Sequence, residues 1–535
     1  MNFNFAPRIF LTVIFVSAIV QPYHVYHYYR DASKEVSLPH KYDIIIIGGG
    51  VVGCMLARTL SRYQLDILLI EKESDIGSGT SAANTALIHP GYDPHPGSLK
   101  AKMNVAANPL WDNLAAELNF DFKRSGDYVV AIGPDELPKL DLLLQQGKQN
   151  GVPGMRFISS EEMRRREPLI NPEVSGAIFA VTGGICDPFM VTLAVGENAI
   201  QNGAKILLET SFKDFIFEGT RIIGIKTNHG EFLSRWVINS AGLFSDEVMH
   251  KASVRPEFKI TPRRGEYFIL DGADMTINSV YFPVPSAISK GILVTTTVHG
   301  NTLLGPNVQE IEDKNDLSNT SSGLQEVLDG ALKLVPSIKP RSIIATFAGL
   351  RAGGNAPCQT PGVNYQHDFV IEIPQLVPGL VNLGGIESPG FTSAPAIALQ
   401  VIELMKDAGE KFKEKKGWNP IRLSRPQFRH LNNQQRQVII EKDSRYGRVV
   451  CRCENITEGE IVAEIHGLIP ARTYDAIKRR TWLGTGRCQG GFDMPRVTAI
   501  LARELGISPL QVTKKGGASV FLTRQTKQVE VDDAL

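Results

Sequence analysis

Apolar residues in this chain form short unbroken runs at a few places and alternating stretches at others. Ile44–Ile47 is a four-residue apolar run of the kind a parallel strand carries when both its faces are buried. Gly48, Gly50 and Gly53 follow it, then a helical stretch, a second apolar strand and an acid, Glu71, all within Asp43–Lys72. Lys72–Leu99 is rich in Gly, Ser, Thr, Asn and Pro and predicts a long functional loop. Helical spacing predicts helices at Leu110–Leu118 and Pro188–Gly203, the second leading into a strand at Ala204–Glu209. Further strands are predicted at Tyr128–Ile132, Phe215–Lys226 and Glu231–Ile238, the last ending in the turn Asn239-Ser240-Ala241-Gly242. Alternation over Phe258–Leu270 and Ser279–Leu304 predicts an antiparallel sheet. Leu380–Leu383 is another buried strand, followed by Gly384-Gly385 and a helix at Ala394–Met405.

Charges crowd from Lys406 to Lys416, and Pro420 and Pro426 follow, a shift that predicts a linker. At 535 residues the chain exceeds the roughly 250–300 that one core supports, so several units are expected. These are an N-terminal segment over 1–40, a main domain over 41–408, a linker over 409–446 and a C-terminal module over 447–535. Helices are expected in that module at Glu458–His466 and Pro495–Leu505. In the main domain, strand-turn-helix segments near Gly48, Val237–Asp246 and Val381–Ala396 are separated by sheet-rich insertions. The fold class expected is therefore α/β: a Rossmann-type domain interleaved with an antiparallel-sheet substrate lobe, plus a small helical C-terminal domain.

Two features bear on where the chain works. Ile9–Val20 is a twelve-residue apolar run preceded by Arg8, with no acid before Asp31. That is short of the about twenty residues a spanning helix needs, but Tyr23, Tyr26, Tyr28 and Tyr29 follow, and their rings suit the headgroup layer. A membrane anchor built on a transmembrane helix is the preferred expectation. The alternative is a cleaved targeting segment, either a signal peptide using Val16-Ser17-Ala18 or a mitochondrial one. Charge is balanced, 57 basic against 56 acidic residues, which gives no electrostatic case for nucleic acid.

The glycines carry the first chemistry. Gly48, Gly50 and Gly53 stand at the spacing of a dinucleotide turn. The first makes the tight bend, the second lets a pyrophosphate reach the backbone, and the third lets helix and strand pack closely. The helix start then offers unpaired N–H groups to phosphate, and Glu71 can accept ribose hydroxyls.

With GGGVVG at Gly48–Gly53 stand SGTSAANTALIHPGYD at Ser78–Asp93, NSAGLFSD at Asn239–Asp246, PRRGEY at Pro262–Tyr267, FAGLRA at Phe347–Ala352 and GGIESPGFTSAPAIA at Gly384–Ala398. On these stretches the chain resembles the FAD-dependent oxidoreductases that include glycerol-3-phosphate dehydrogenases, L-2-hydroxyglutarate dehydrogenases and amino-acid oxidases. The resemblance implies FAD, which accepts a hydride from a small hydroxy acid or glycerol 3-phosphate. It places Ser81, Ala82, Asn84 and Thr85 along the flavin, His89 and Tyr92 near flavin and substrate, Gly242 in the second cofactor turn, and Gly385, Ser388 and Gly390 around the ring end. Arg351 takes the anion-binding place, where a planar fork suits a carboxylate or phosphate. Tyr267 stands where related dehydrogenases carry a histidine base, and His367 where they carry a second arginine. Asp246 either caps a helix or supports the cofactor. The implied partners are a small anionic substrate and an electron acceptor: a quinone, oxygen or a redox protein. An amino-acid or amine oxidase and a non-catalytic flavoprotein or assembly factor are the competing readings.

Three of the six cysteines cluster late in the chain: Cys451 and Cys453 as C-x-C, then Cys488. Such thiolates point to zinc or an iron–sulfur cluster. The resemblance implies a bacterioferritin-associated-ferredoxin-like [2Fe–2S] module with Asp493 in the fourth ligand position, where related modules carry cysteine. A carboxylate is a harder donor than a thiolate and leaves three outcomes open: an altered cluster, a retained fold without one, or zinc.

Overall fold

In the computed structural model, which describes residues 41–285 and 291–526, the run Ile44–Ile47 lies inside an eight-stranded sheet. The strand Lys41–Ile47 pairs in parallel with Ile67–Ile70 on one side and Gly230–Asn239 on the other. Lys205–Leu207 continues the sheet beyond Ile67–Ile70, and Leu380–Gly384 lies against the end of Gly230–Asn239, both again parallel. Successive side chains point to opposite faces. Ile44, Ile46, Ile67 and Leu69 join the core under the helices Val51–Leu60, Pro188–Gln201 and Gly390–Asp407. Ile45, Ile47, Leu68 and Ile70 join a second core, with Phe215, Ile222 and Val248, on the other face. Burial on both faces is why the run is unbroken rather than alternating.

The expected strand Phe215–Lys226 is two strands. Phe212–Glu218 and Arg221–Thr227 form an antiparallel hairpin across Gly219, whose φ of +61° suits a tight turn that a residue with a side chain adopts poorly. This hairpin pairs only with the first residues of Gly230–Asn239, leaving the far end of that strand free for Leu380–Gly384.

The insertions form a second, nine-stranded sheet. Ile260–Leu270 and Ile343–Gly354 pair antiparallel along the whole of the first strand. One pairing departs from the expected antiparallel pattern: Val280–Pro283 runs parallel to Asp127–Ile132. The two strands come from distant segments, so no hairpin turn dictates their direction.

The C-terminal module has its own apolar core, built by Glu458–Ile465, Tyr474–Thr481 and Met494–Leu505. The first and third helices match expectation. Tyr474–Thr481 was not foreseen, because YDAIKRRT is mostly polar, yet Arg480 within it is only 5% exposed. The stretch expected as a linker also holds a helix, Asn433–Lys442, begun by a capping box between Asn432 and Gln435.

The expected transmembrane helix and membrane anchor need correction. Among the described residues no helix is long and apolar enough to cross a membrane. Ile9–Val20 and Tyr23–Tyr29 lie outside the described residues, and twelve apolar residues rise only about 18 Å as a helix against a hydrocarbon core of about 30 Å.

Double-sided burial has a measurable consequence. Ile45→Ala should destabilise the protein by about 2–5 kcal/mol in urea unfolding, since the cavity cannot collapse between paired strands. Phe217→Ser, at a side chain 44% exposed, should change stability by less than about 1 kcal/mol.

Candidate active site

The parallel strands end at one level. The turn after Ile47, the turn Ser240-Ala241-Gly242 and the turn after Gly384 therefore meet along one edge of the sheet. A cleft of about 1280 Å³, counted out to its mouth, opens there between the sheet and the second lobe. Its walls come from all three turns, from the loop Thr80–His89 and from the lobe strands that carry Tyr267 and Arg351.

The glycine turn is shaped by close approach. Gly48 has a φ of +105°, and a Cβ there would stand 2.6 Å from the Ser240 carbonyl oxygen. A Cβ on Gly53 would press into the Gly48 carbonyl, so the helix can start this close to the strand only with glycine. Gly50 caps the helix Val51–Leu60 without a side-chain hydrogen bond and lines the cleft. The Val51 N–H donates to Ser81 Oγ at 2.9 Å, and Val52 faces the cleft beside it. The helix Gly390–Asp407 begins on the same cleft, so two helix N-termini point their positive ends into it.

Glu71 sits behind this turn rather than on the cleft wall. Its Oε2 accepts from the Gly49 N–H at 2.7 Å and its Oε1 from the Glu73 N–H at 2.9 Å. Burial pushes its carboxyl above the usual range, and those two N–H groups oppose the rise. Asn84 holds its own loop: its amide donates to the Thr80 and Ser81 carbonyls, and its oxygen accepts from the Ala86 N–H. Thr85, Gly242 and Ser388 line the cleft, whereas Gly385, at a φ of +64°, shapes the turn from beneath.

His89 is pinned by its backbone. Its N–H donates to Thr392 Oγ1 at 2.9 Å, and its carbonyl accepts from Asn104 and Asn108. The ring lies 5.9 Å from that of Phe282 and is the one imidazole lining the cleft among the described residues. Tyr92 does not join it; the ring is buried in the lobe core and is not on the cleft wall. Tyr267 stacks on Phe347 at 4.4 Å, and burial pushes its hydroxyl up to about 12 against the pull of Arg351. Asp246 accepts from the Ile260 N–H at 2.8 Å and from Lys314 at 2.6 Å, which ties two segments together away from the cleft. His367 is likewise off the cleft, with Nδ1 2.8 Å from the Gly354 carbonyl oxygen.

Arg351 faces Arg263 across the paired strands Ile260–Leu270 and Ile343–Gly354. Its Nη2 donates to the Asn307 carbonyl at 3.0 Å and its Nε to the Arg263 carbonyl at 3.5 Å, which fixes the guanidinium at the cleft wall. No local spacing points to the charged group beside it, although Glu387 lies within the stretch Gly384–Ala398. Glu387, also on the wall, accepts from Lys100 Nζ at 2.7 Å and from Arg263 Nη1 at 3.3 Å. Burial resists ionisation of Glu387, but Lys100, Arg263 and Arg351 overcome it and hold the carboxyl below its usual range. Arg263 is shared with a second carboxylate, Glu310, at 3.2 Å, so Lys100 and Arg263 are taken up by acids, while Arg351 lines the cleft and makes no ion pair among the described residues. Lys100 lies on the helix Leu99–Ala107 and Glu387 in a loop, and no local spacing connects them.

In the C-terminal module Cys453 and Cys488 place their sulfurs 3.8 Å apart. Two thiolates on one tetrahedral metal span about that distance when the metal–sulfur bonds are about 2.3 Å. Cys451 and Asp493 are each 1% exposed, and Tyr474 Oη donates to Asp493 Oδ1 at 2.7 Å. Burial, with Asp493 alongside, pushes the Cys451 thiol up to about 11. Among the described residues no group of three or more His, Cys, Asp or Glu side chains is arranged around a single metal ion. Cys54 and Cys186 are buried packing residues.

Comparison with known proteins agrees with this anatomy. Residues 43–404 match the model of the FAD dependent oxidoreductase family, and residues 449–503 match the BFD-like [2Fe-2S] binding domain. A glycerol 3-phosphate dehydrogenase of Caloramator mitchellensis is 44% identical over 91% of this chain and 99% of its own. An Arabidopsis thaliana mitochondrial L-2-hydroxyglutarate dehydrogenase is 30% identical over 68% of this chain and 83% of its own. A dithionite-reduced L-alpha-glycerophosphate oxidase from Mycoplasma pneumoniae with FAD bound superposes at a TM-score of 0.65 and 30% identity, over 71% of this chain and 98% of that one. Glycine turn, interleaved lobes and cleft are those of an FAD enzyme acting on a small anion, and the chain belongs to the FAD-dependent oxidoreductase family, with a BFD-like [2Fe–2S] domain at its C-terminal end.

Proposed function

We propose that this protein is a dehydrogenase of glycerol 3-phosphate. The observation that carries the reading is Arg351, a guanidinium braced by backbone carbonyls on the wall of the cleft that His89 also lines, with no carboxylate paired to it among the described residues. The 44% identity to a glycerol 3-phosphate dehydrogenase along nearly the whole chain supports it. A phosphate dianion suits a guanidinium fork left without a carboxylate on a cleft wall. Hydroxyglutarate is the second reading, favoured by the Arabidopsis relative and by the single guanidinium that faces the cleft.

FAD fits the residues present. Side chains at Gly48 and Gly53 would close the turn, and the helix start at Gly50, Val51 and Val52 lines the cleft where a pyrophosphate is expected. In this reading Gly48, Gly50 and Gly53 make room for the pyrophosphate, and Glu71, which already accepts from the Gly49 and Glu73 N–H groups, uses its remaining lone pairs to accept from a ribose that extends past the cleft wall. Ser81, Asn84, Thr85, Gly242, Gly385, Ser388 and Gly390 shape the rest of the cradle. Bound flavin supplies the hydride acceptor. Arg351 holds the substrate anion, which orients the carbinol carbon. His89 takes the hydroxyl proton as the carbon–hydrogen bond breaks and the carbon becomes a carbonyl. Tyr267, kept neutral by burial, donates a hydrogen bond rather than taking a proton. In the C-terminal module Cys451, Cys453, Cys488 and Asp493 would hold a [2Fe–2S] cluster, which supplies one-electron steps between flavin and acceptor.

The deciding experiment is anaerobic reduction of the flavin spectrum. Glycerol 3-phosphate should bleach it rapidly, and L-2-hydroxyglutarate and L-amino acids should not; bleaching by either of those alone rejects the assignment. Arg351→Ala should raise KM at least tenfold and lower kcat/KM by on the order of a hundredfold or more, about 3 kcal/mol for a charge-assisted contact. An unchanged kcat/KM removes Arg351 from the site. Gly50→Val should purify without flavin, and full occupancy in that variant would show the cradle to be elsewhere. Asp493→Cys should retain more iron and acid-labile sulfide than the wild type after aerobic purification, because a fourth thiolate replaces a harder donor. No iron in either protein after anaerobic reconstitution would set the cluster assignment aside.

A further inference from the structure

Between Glu71 and Ser81 the chain makes a loop that touches the glycine turn from behind. The Gly77 N–H donates to the Gly49 carbonyl at 2.9 Å, and Ile76 packs against Gly49. Asp75, in the middle of this loop, is 1% exposed and turned away from the cleft towards the C-terminal module. There Arg480 grips it with both terminal nitrogens, at 2.6 and 2.7 Å, and Arg479 adds a third contact at 3.1 Å. A second contact is independent of this one: Ser74 Oγ donates to the Lys515 carbonyl at 3.0 Å. Arg480 is anchored in its own module, donating to the Ala476 and Ile469 carbonyls. The charge chain continues from Arg480 to Glu464 at 3.7 Å and on to Arg425, which lies 2.7 Å from Glu464 and 3.3 Å from Glu197, and Glu197 also holds Arg422 at 2.7 Å. Four arginines and three acids, all largely shielded from water, thus run from the C-terminal module to the loop behind the glycine turn.

We infer that the C-terminal module clamps the FAD-binding loop, with Arg480 and Asp75 as positioning residues that raise the affinity for FAD. The inference rests on the reading that the Gly48–Gly53 turn and Glu71 receive the cofactor. A bidentate arginine on a buried carboxylate has one favourable geometry, so it fixes Asp75, and through Gly77 and Ile76 it fixes Gly49 and the N–H that Glu71 accepts. Removing one partner leaves the other buried and uncompensated, and the loop must swing to water to relieve it. The Mycoplasma pneumoniae oxidase, 98% of which matches 71% of this chain, carries FAD, so the shared fold holds the cofactor and the clamp adjusts its affinity. Coupling of this kind is reciprocal: if the clamp tightens FAD, FAD must tighten the clamp.

The test uses the full chain, stripped of flavin and titrated with FAD by flavin fluorescence. Arg480→Gln and Asp75→Asn should each raise the FAD dissociation constant by on the order of tenfold, the usual scale of such coupling. The KM for substrate at saturating FAD should stay within twofold. The charge-exchanged pair Asp75→Arg with Arg480→Asp should recover part of the loss. In the wild type, FAD should slow hydrogen exchange across Tyr474–Thr481, and in Arg480→Gln it should not. Should Arg480→Gln fail to fold, Asp75→Asn and the wild-type exchange experiment decide. An unchanged FAD dissociation constant in both variants, or no protection of Tyr474–Thr481 by FAD in the wild type, overturns the inference. Flavin retained in full by Gly50→Val would instead reject the underlying cofactor reading, so the two failures are separable.

Discussion

Parallel strand pairing in register is the constraint on which the site depends. Ile47 lies opposite Ile70 on one side and Asn239 on the other, and Asn239 lies opposite Asn382. Because these strands run the same way and end together, each must hand the chain to its turn at the same edge. Three glycine-containing turns from the start, middle and end of the main domain thereby meet over one cleft. The close contact of Gly53 with Gly48 then lets the first helix begin against the strand, so its N–H groups open on that cleft. A one-residue slip in any pairing would move a turn by more than 3 Å and reverse which side chains face each core.

The second sheet supplies what the first cannot. A Rossmann edge offers backbone N–H groups and helix dipoles, which suit phosphate but do not select a substrate. The antiparallel pair Ile260–Leu270 and Ile343–Gly354 projects Arg351 to the cleft wall and braces it with backbone carbonyls. Lys100 and Arg263 gather on Glu387 at the same corner. Within a partly dry cleft the Arg351 charge is screened far less than at the surface, so it acts strongly on an anion.

Buried ion pairs join the C-terminal module to the main domain, and their value lies in specificity more than in adhesion. Bringing Arg480, Asp75, Glu464 and Arg425 out of water costs several kcal/mol per ion before their attraction offsets it. An apolar contact would hold the module as well but tolerate several orientations. A fork of nitrogens on one carboxylate tolerates one. The same module seals Asp493 under Tyr474 beside Cys451 while Cys453 stays exposed, so its metal-type donors stand in two differently solvated pairs.

The sequence by itself determined the parts whose physics is local. Apolar runs buried on two faces, glycines at turn spacing and the acid after the second strand marked out the first strand–turn–helix–strand unit, since strand, turn and helix each follow from neighbouring residues. Motif stretches likewise marked His89, Tyr267 and Arg351, which all line the cleft, while Tyr92 and His367 from equally suggestive surroundings do not. Whether a residue in a motif reaches the cleft depends on strand register and loop path, which local sequence does not encode. Only the tertiary structure brought Lys100 to Glu387 and Arg480 to Asp75, across 287 and 405 residues of chain. Those charges carry no periodicity and no motif of their own. Their meaning comes from burial, and burial is decided by how the two sheets and the C-terminal helices pack.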